Sequence, residues 1–277
     1  MNAQVANKAF CDGEVLELSS LADRSFAYGD GLFETMRCEQ GNVPLLRFHI
    51  ARLKYSCERM SMNFSESSFL AYLAQCLDCA PAQSIIKCIY VRKDSLRASY
   101  PSLPSSSTCY FQYTPLQSRD SWRNGVDLIF AAKPLADNVL LSGLKHTSRL
   151  SYILALGGVQ PTSKQEVLFV DDKAQICESM HHNIFFISKE TLFTPTLEMV
   201  GVHGIMRSYV LDSIANEMDL KTQCCNILVD DLSGFDGAIL TNAIDGALRI
   251  NSIGSHTYNC SDNADKLCER LQASFLS

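Results

Sequence analysis

The chain contains 277 residues, of which 47% are hydrophobic and 19% are charged, and its formal net charge is −6. This composition is typical of a globular protein with one large domain or two of ordinary size. The acidic balance provides no basic surface for nucleic acid, and no stretch approaches the roughly 20 apolar residues of a transmembrane helix. The N-terminal segment lacks the basic start and apolar run of a secretory signal, so we expect a cytoplasmic protein.

Hydrophobic periodicity predicts strands and helices that alternate along most of the chain. In the first part we predict strands at 13–18, 32–38, 85–91 and 109–114, and helices at 48–60 and 65–80, the second capped by Ser65. In the second part we predict strands at 127–133, 166–171, 175–179, 183–188, 192–195, 227–229, 238–241 and 248–253, and helices at 150–156, 205–218 and 263–276. This order predicts a mixed α/β (α+β) fold of two domains, a small one at 1–116 and a larger one at 125–277, joined by a polar linker at 117–124.

The cysteines and the paired histidines do not form the spacing of a metal site. Cys76 and Cys79 form one CxxC with no second pair, so we predict buried helical thiols, and Cys224-Cys225 is predicted to open an apolar strand. His181 and His182 are predicted to face opposite sides of a strand, where they cannot jointly bind one metal ion. We therefore expect neither a metal nor a disulfide.

A lysine stands at a junction where its pKa could be lowered. Gly143-Leu144-Lys145 ends a turn just before the predicted helix at 150–156, and Arg149 follows four positions later. A free lysine titrates at roughly 10.4, and only burial or a neighbouring cation makes its amine a good nucleophile near neutral pH. Schiff-base chemistry requires that environment. On local sequence alone, the alternative is an ordinary surface lysine.

Three other features are compatible with a cofactor site. The segment 201–207 is a glycine turn that begins a helix, and free N–H groups at a helix start bind phosphate. Glu178 lies among apolar neighbours and must be paired if it is buried. Arg47, His49 and Arg52 share a helix and could supply a cation. Each feature has an ordinary structural alternative. The glycine turn would serve tight packing, Glu178 would be an edge residue that faces water, and the three basic residues would form a solvated helix face.

Together these segments resemble the fold-type IV pyridoxal-phosphate enzymes, which include branched-chain aminotransferases, D-amino-acid aminotransferases and 4-amino-4-deoxychorismate lyases. The resemblance covers residues 22–253, and the matching segments occur in the family's order. The segments are Asp23-Arg24 with Tyr28-Gly29-Asp30-Gly31, His49-Ile50-Ala51-Arg52-Leu53, Lys145, Glu178, Asn183-Ile184-Phe185, Gly204-Ile205-Met206-Arg207 and Thr241-Asn242-Ala243.

This resemblance implies pyridoxal 5′-phosphate as the cofactor and a small-molecule substrate. It implies Lys145 as the catalytic Schiff-base lysine and Glu178 as the partner of the pyridine nitrogen. It also implies that the cofactor phosphate is bound by Arg52, Gly204, Ile205, Met206 and Asn242. A site between the two domains, a barrel-like larger domain and a homodimer follow from the same resemblance.

Within the family, the lyase branch is favoured. Lys145-His146-x-x-Arg149-Leu150 is similar to the lyase pattern, Met206 stands where aminotransferases usually have threonine, and Asn242 is also lyase-like. Phe33 replaces a tyrosine of the D-amino-acid enzymes. This implies conversion of 4-amino-4-deoxychorismate to 4-aminobenzoate and pyruvate, a step of folate biosynthesis. An aminotransferase of branched-chain or D-amino acids, and a cofactor-free binding protein on the same scaffold, are the alternatives.

The substrate of such a lyase carries two carboxylates, so its pocket requires cations. Arg92 and Arg97 are our candidates, because arginine matches carboxylate geometry. The segment 92–100 keeps the family's arginines but lacks the glycines of its loop.

Overall fold

The computed structural model describes residues 9–11, 14–16, 24–92, 106–117, 124–258 and 262–276. Asp23, Arg97 and most of the predicted linker at 117–124 lie outside the described residues. Of the predicted strand at 13–18, the segment Glu14–Leu16 is described and is a strand.

The first part of the chain forms a three-stranded antiparallel sheet with β4 at its centre. Two helices cover one face of this sheet and enclose a hydrophobic core. A short antiparallel pair and a short helix precede it. The elements are β1 (Ala9–Cys11), β2 (Glu14–Leu16), α1 (Arg24–Tyr28), β3 (Gly31–Glu39), α2 (Leu46–Arg59), α3 (Glu66–Cys79), β4 (Gln83–Arg92) and β5 (Ser107–Pro115).

Alternation along β3 and β4 separates a core face from an open face. In β3, Leu32 and Met36 are buried in the core, whereas Phe33 and Thr35 lie on the other face and are only partly buried. Side chains alternate between the two faces of a strand, so every second residue of both strands is directed away from α2 and α3. This open face contributes to the cavity described below.

A capping residue explains where α3 begins, and the spacing of buried residues explains how α2 packs. The hydroxyl of Ser65 accepts a hydrogen bond from the Ser68 backbone N–H, which confirms the predicted N-cap of α3. The buried residues of α2 are His49, Leu53, Ser56 and Cys57. Their spacing of four, three and one forms a single helical stripe. A histidine therefore belongs to the buried face of α2, not to a solvated basic face.

The second part of the chain forms a nine-stranded mixed sheet, in which the order is β11-β10-β9-β12-β13-β6-β7-β8 and β14 pairs with β13. The sheet curls, so that β8 at one end of this order also lies beside β9 and β10. Its strands are β6 (Val126–Phe130), β7 (Gln165–Val170), β8 (Ile176–Ser179), β9 (Asn183–Ser188), β10 (Thr191–Pro195), β11 (Lys221–Cys225), β12 (Gly237–Asn242), β13 (Gly246–Ile253) and β14 (His256–Thr257).

Helices pack on this sheet and bury its second core. Their bounds are α4 (Leu150–Leu156), α5 (Ile205–Tyr209), which continues through a π-helical turn (Val210–Ile214) into α6 (Ala215–Glu217), and α7 (Asp262–Leu276). Met206 of α5 and Leu267 of α7 pack against Phe185 and Ile239 of the sheet. None of the helices in the described ranges combines the length and hydropathy that crossing a membrane requires.

The predicted mixed α/β fold is confirmed, and the curled sheet has the barrel-like character that the resemblance implied. The change from the first sheet to the second falls between β5 and β6, and the exact limits of the two domains stay a prediction. The strand predicted at 227–229 is wrong. A 3₁₀ turn, Val229–Gly234, replaces it, because the Asp231 carboxylate accepts the Leu228 N–H at 2.9 Å.

Two cysteine predictions are also wrong. Cys79, at the end of α3, is exposed, and Cys76 is only partly buried. Cys224 and Cys225 end β11, and Cys224 is exposed because β11 is the edge strand of the sheet.

Candidate active site

One cavity of about 460 Å³ is lined by residues from both sheets. A cavity of this size is typical of a small-molecule site. The residues that line it are Phe33, Thr35, Arg52, Ile85, Lys87, Lys145, Arg149, Glu178, Ser179, Met180, His181, His182, Asn183, Val202, Gly204, Ile205, Thr241, Asn242, Ala243, Ile244 and Asp245.

Backbone hydrogen bonds fix the segment that carries Lys145. The Lys145 carbonyl accepts the Phe33 N–H at 2.8 Å, and the Thr147 N–H donates to the Gly31 carbonyl at 2.8 Å. On its other side, the Gly143 N–H donates to the Gly201 carbonyl at 2.9 Å. Gly143 has a φ of +79°, which favours glycine. The segment is therefore held between β3 and the turn before α5, with Lys145 in the cavity wall.

The Lys145 ammonium nitrogen lies 4.5 Å from the centroid of the Phe33 ring. Burial, followed by the nearby Arg52 guanidinium, lowers the pKa of Lys145 to about 8, although Glu34 and Glu178 oppose the shift. Near neutral pH, the fraction of molecules in which this amine is unprotonated is therefore far larger than for an ordinary lysine. The environment that Schiff-base chemistry requires is present.

Glu178 is buried, and its carboxylate receives three hydrogen bonds. The Tyr152 hydroxyl donates at 2.7 Å, the Val202 N–H at 2.9 Å and the Asn183 amide at 3.3 Å. Burial raises the pKa of Glu178, while Arg149 and the hydrogen bonds act against that rise. Of the two interpretations open from the sequence, a buried and satisfied carboxylate is the one observed.

Arg52 reaches the cavity from α2 and is held by an acidic residue that the sequence did not reveal. Its Nε donates to Glu34 Oε1 at 2.8 Å, its second terminal nitrogen donates to Oε2, and His49 Nδ1 lies 2.6 Å from Oε2. Burial alone would raise the pKa of Glu34, but Arg52 and His49 lower it to about 2. A signal was present, because Glu34 stands at an inward-facing position between Leu32 and Met36.

The start of α5 contributes backbone groups to the cavity. Gly204 and Ile205 line it, whereas the Met206 side chain is buried in the core below the sheet. The first N–H groups of a helix have no partner within the helix. Gly204 is required by close packing, since a Cβ atom there would lie 1.9 Å from Asn183 Oδ1.

At the end of β12, Thr241 is more available for a ligand than Asn242. Asn242 lines the cavity, but its Oδ1 accepts the N–H groups of Ile244 and Asp245, and its Nδ2 donates to Asp245 Oδ2 at 3.0 Å. The Thr241 hydroxyl is buried and has no hydrogen-bond partner among the residues that the structure describes. A buried hydroxyl without a partner is costly, so it marks a position where a ligand can accept or donate a hydrogen bond.

Arg92 is not brought to this cavity. It is buried, and its guanidinium donates to the Asp30 carboxylate at 3.0 Å and to the backbone carbonyls of Met60 and Ser61. Asp30 is shared with Arg24, whose Nε lies 2.7 Å from the same carboxylate, so Asp30 alone does not balance both guanidinium groups. These contacts hold Arg92 away from the cavity lining, and its binding of a substrate carboxylate stays a prediction.

The two histidines after β8 occupy a turn, so the prediction of opposite strand faces is wrong. His181 Nδ1 lies 3.4 Å and His182 Nδ1 lies 3.7 Å from the Glu166 carboxylate, and His182 Nε2 lies 3.1 Å from Asp245 Oδ2. Both rings therefore approach one carboxylate. Across the described ranges, no three histidine, cysteine or acidic side chains are arranged as a metal site.

A family model described as "Amino-transferase class IV" matches residues 31–253. The chain belongs to the class IV aminotransferase family. Membership confirms the resemblance to fold-type IV enzymes and, with it, pyridoxal 5′-phosphate as the cofactor.

Relatives in this family carry different activities. Aminodeoxychorismate lyase of Vibrio harveyi is 26% identical over 255 residues, which cover 91% of this chain and 93% of the relative. D-alanine aminotransferase of Bacillus licheniformis is 23% identical over 260 residues, covering 90% and 89%. Among solved structures, the 4-amino-4-deoxychorismate lyase of Pseudomonas aeruginosa has a TM-score of 0.86 at 28% identity, and the match covers 95% of this chain and 97% of that one.

The residues of this class IV protein fit the cofactor. The amine of Lys145 can bond to the aldehyde, and the buried Glu178 carboxylate can pair with a protonated ring nitrogen. Arg52, the N–H groups at the start of α5 and the unpartnered Thr241 hydroxyl together supply a cation and donors for the phosphate. The individual assignments of these residues, including Asn242, stay predictions.

Proposed function

We propose that the protein is an aminodeoxychorismate lyase, which converts 4-amino-4-deoxychorismate to 4-aminobenzoate and pyruvate. The observation that carries this proposal is the convergence of Lys145, Glu178 and Arg52 on one cavity. The choice of the lyase branch is supported by the similarity to the lyases of Vibrio harveyi and Pseudomonas aeruginosa. It is also supported by Phe33, which offers no hydroxyl to a substrate carboxylate next to Lys145.

In the proposed mechanism Lys145 Nζ moves the protons. When bound, the cofactor supplies an aldehyde that takes up the substrate amine and a ring that accepts electrons. Lys145 Nζ removes the proton from the amine-bearing carbon, which its pKa of about 8 allows near neutral pH. The C–O bond to the enolpyruvyl group then breaks and the substrate ring becomes aromatic. The protonated Lys145 returns its proton to the enol methylene, which gives pyruvate.

Other residues orient the cofactor and stabilise its charges during this reaction. Glu178 keeps a proton on the ring nitrogen, and the donors from Tyr152 and Val202 hold its carboxylate in a fixed direction. Arg52 binds the phosphate in an orientation that Glu34 determines. These groups are placed before the substrate arrives, so the reaction requires little reorganisation.

The direct test is the coupled detection of pyruvate and 4-aminobenzoate from enzymatically prepared aminodeoxychorismate. We expect both products in equal amounts from the wild type. A protein that carries pyridoxal phosphate but releases neither product would contradict the proposal.

An aminotransferase is the second candidate, and the 23% identity to the D-alanine aminotransferase of Bacillus licheniformis favours it. An aminotransferase given an amino acid alone converts its cofactor to the pyridoxamine form, which changes the absorption spectrum. We expect no such conversion with D-alanine or branched-chain amino acids. The third interpretation, a cofactor-free binding protein, predicts a colourless protein that does not take up added pyridoxal phosphate.

We also propose that the protein is a homodimer. One face of α4 exposes Leu150, Ile153 and Leu154, which are 63%, 62% and 59% exposed and recur at helical spacing. Contiguous exposed apolar residues are typical of an interaction surface. A second copy of the chain is the partner we propose for it.

A further inference from the structure

Two histidines in the wall of the cavity have no role in the mechanism above. His181 and His182 follow β8 in a turn and line the same cavity as Lys145. An imidazole is the side chain whose ordinary titration range lies near neutral pH, so it both gives and takes up protons there. A ring that has a nitrogen without a protein partner can exchange a proton with a ligand in the cavity.

His182 is held entirely by the protein. Its ring is fully buried, its Nε2 lies 3.1 Å from Asp245 Oδ2, and its Nδ1 lies 3.5 Å from the Ser179 hydroxyl. Asp245 Oδ2 also accepts a hydrogen bond from the Asn242 amide at 3.0 Å. His182 therefore supports the turn between β12 and β13, and both of its ring nitrogens already face protein groups.

His181 has a different environment. Its side chain is 51% exposed, and its Nδ1 lies 3.4 Å from the Glu166 carboxylate. Its Nε2 has no partner among the residues that the structure describes. One nitrogen of this ring is therefore paired with an acid, while the other is available to a ligand.

Glu166 supplies this acid from behind the cavity wall. It lies in β7, is only 2% exposed and is not part of the cavity lining. Its Oε1 is buried and has no hydrogen-bond partner in the described ranges, and His182 Nδ1 lies farther from the carboxylate than His181 does, at 3.7 Å. A buried carboxylate requires donors, and a carboxylate beside an imidazole fixes both the orientation of the ring and the nitrogen that carries the proton.

The departure of the enolpyruvyl oxygen benefits from an acid of this kind. When the C–O bond of the substrate breaks, its electron pair stays on the departing oxygen. A proton delivered to that oxygen in the transition state typically accelerates such a step by about 10²–10⁴-fold. Lys145 Nζ is engaged at the amine-bearing carbon at that moment, so a second group is required.

We propose that His181 is the acid that protonates the departing oxygen and that Glu166 is its positioning residue. This inference rests on the proposed function and adds a second catalytic residue to it. The proton moves from Nε2 to the oxygen as the C–O bond breaks, which releases pyruvate in its enol form. When Lys145 then protonates the methylene carbon, the enol O–H returns its proton to Nε2 and the carbonyl forms. His181 ends in its initial state, and no additional proton is consumed.

The first test separates removal of the carbon proton from departure of the oxygen. Aminodeoxychorismate reacts with the holoenzyme in deuterium oxide, and mass spectrometry measures the pyruvate released and the deuterium at the amine-bearing carbon of the remaining substrate. His181→Gln removes the acid. His256→Gln is the matched control, because His256 is partly buried on β14 and does not line the cavity. The cofactor absorbance of each variant reports that the site is folded.

We expect His181→Gln to release pyruvate about a hundredfold more slowly or worse. At equal conversion, its remaining substrate should contain more deuterium than that of the wild type, because the carbon proton is removed and returned before the oxygen leaves. His256→Gln should match the wild type, and imidazole added to His181→Ala should restore part of the rate. Wild-type release by His181→Gln would overturn the proposal. So would slower release without extra deuterium, because a merely structural loss slows both steps together.

The second test requires no turnover. Nitrogen NMR of the histidine rings, with the His181 signals identified by their absence in His181→Gln, shows which nitrogen carries the proton in the neutral ring. We expect Nδ1 in the wild type and a larger share of Nε2 in Glu166→Gln, which should also lower kcat with little change in KM. A wild-type ring that is protonated on Nε2 would overturn the pairing. A wild type that shows the pairing but releases no pyruvate would refute the lyase assignment and the acid role with it, whereas a working lyase that is insensitive to His181→Gln would refute only the acid role.

Discussion

The buried ion pair between Glu34 and Arg52 offers the most quantitative prediction from the structure. Glutamine at position 34 keeps the size of the side chain but replaces one acceptor oxygen by an N–H donor. Arg52 Nε and His49 Nδ1, which now lie 2.8 Å and 2.6 Å from the Glu34 carboxylate, would then face a neutral amide. We predict that Glu34→Gln lowers both the stability of the protein and its affinity for the cofactor phosphate.

The size of the stability loss follows from the pKa of Glu34. Arg52 and His49 overcome the effect of burial and lower this pKa from 4.5 to about 2. At about 1.4 kcal/mol per pKa unit, the ionised form is favoured in the folded state by about 3 kcal/mol. The side chains of Glu34 and Arg52 are only 2% and 9% exposed, so solvent screens this interaction little. The loss of one partner of a buried pair typically costs about 3–5 kcal/mol, which agrees.

The pH dependence has a defined sign. Because the folded pKa of Glu34 lies below its unfolded value, the stabilisation is fully present above about pH 4.5 and is lost as the pH falls toward about 2. Urea unfolding of the apoprotein at pH 7, 4 and 3 measures this, and titration with pyridoxal phosphate measures the cofactor affinity. Glu39→Gln is the control, because it breaks a more exposed pair with Arg37 on the same strand and should cost less than about 1 kcal/mol.

The reasoning would be refuted by a difference below about 1 kcal/mol between wild type and Glu34→Gln at pH 7. A difference that stays constant down to pH 3 would also refute it, because the ionised carboxylate would then not be its source. If stability falls but the cofactor affinity does not, Glu34 is structural and does not orient Arg52 toward the phosphate.

Four further predictions concern the role of Lys145, the pH dependence of its reaction with the cofactor, the hydrogen bond to Glu178 and the exposed face of α4. Lys145→Ala should abolish pyruvate release and the visible absorbance of the bound cofactor. The rate at which the apoprotein takes up pyridoxal phosphate should rise with pH and level off above about 8, where the pKa of Lys145 lies. Tyr152→Phe should lower kcat about tenfold with little change in KM, because Glu178 loses a donor at 2.7 Å. Leu154→Glu should shift the protein from dimer to monomer in sedimentation experiments, because it places a charge in an apolar face.

Each of these has a result that contradicts it. Normal turnover by Lys145→Ala would remove the basis of the proposed mechanism. A cofactor-uptake midpoint near the ordinary lysine value would mean that the amine is solvated. An unchanged kcat in Tyr152→Phe would show that the other donors alone orient Glu178. A wild type that sediments as a monomer at micromolar concentration would contradict the dimer.

Local signals predicted much of the fold. The helix at 150–156 and the strand at 183–188 have the predicted bounds, because a glycine ends the first and a buried apolar run forms the second. Ser65 caps α3 because a hydroxyl at this position satisfies a free N–H. The 3₁₀ turn after β11 was missed, since its short apolar run resembles a strand until the hydrogen bond from Leu228 to Asp231 is known.

The long-range parts of the site could not be read from the chain. Arg92 was predicted to bind substrate, but its partner Asp30 precedes it by 62 positions, and only the pairing of β3 with β4 brings them together. Lys87 was overlooked because alternation shows that residues lie on two faces of a strand, but not which face borders the cavity. Glu34 was overlooked although it alternates with Leu32 and Met36 on the buried face of β3, because its partners Arg52 and His49 come from a different element. Lys145 and Glu178 were recognised because the family motif, not local chemistry, identifies them.

The distribution of charge in the cavity separates two groups of residues. Glu34 pairs with Arg52, and the Glu178 carboxylate receives donors from Tyr152, Val202 and Asn183. If Arg52 and Glu178 hold the cofactor, as proposed above, they contribute little to discrimination between substrates. Arg149 also lines the cavity, and its Nη1 is buried with no hydrogen-bond partner among the described residues. A buried cationic group without a hydrogen-bond partner favours an anionic ligand group. We therefore expect the cavity to prefer substrates that carry a carboxylate, and a neutral amide of the same shape should bind more weakly.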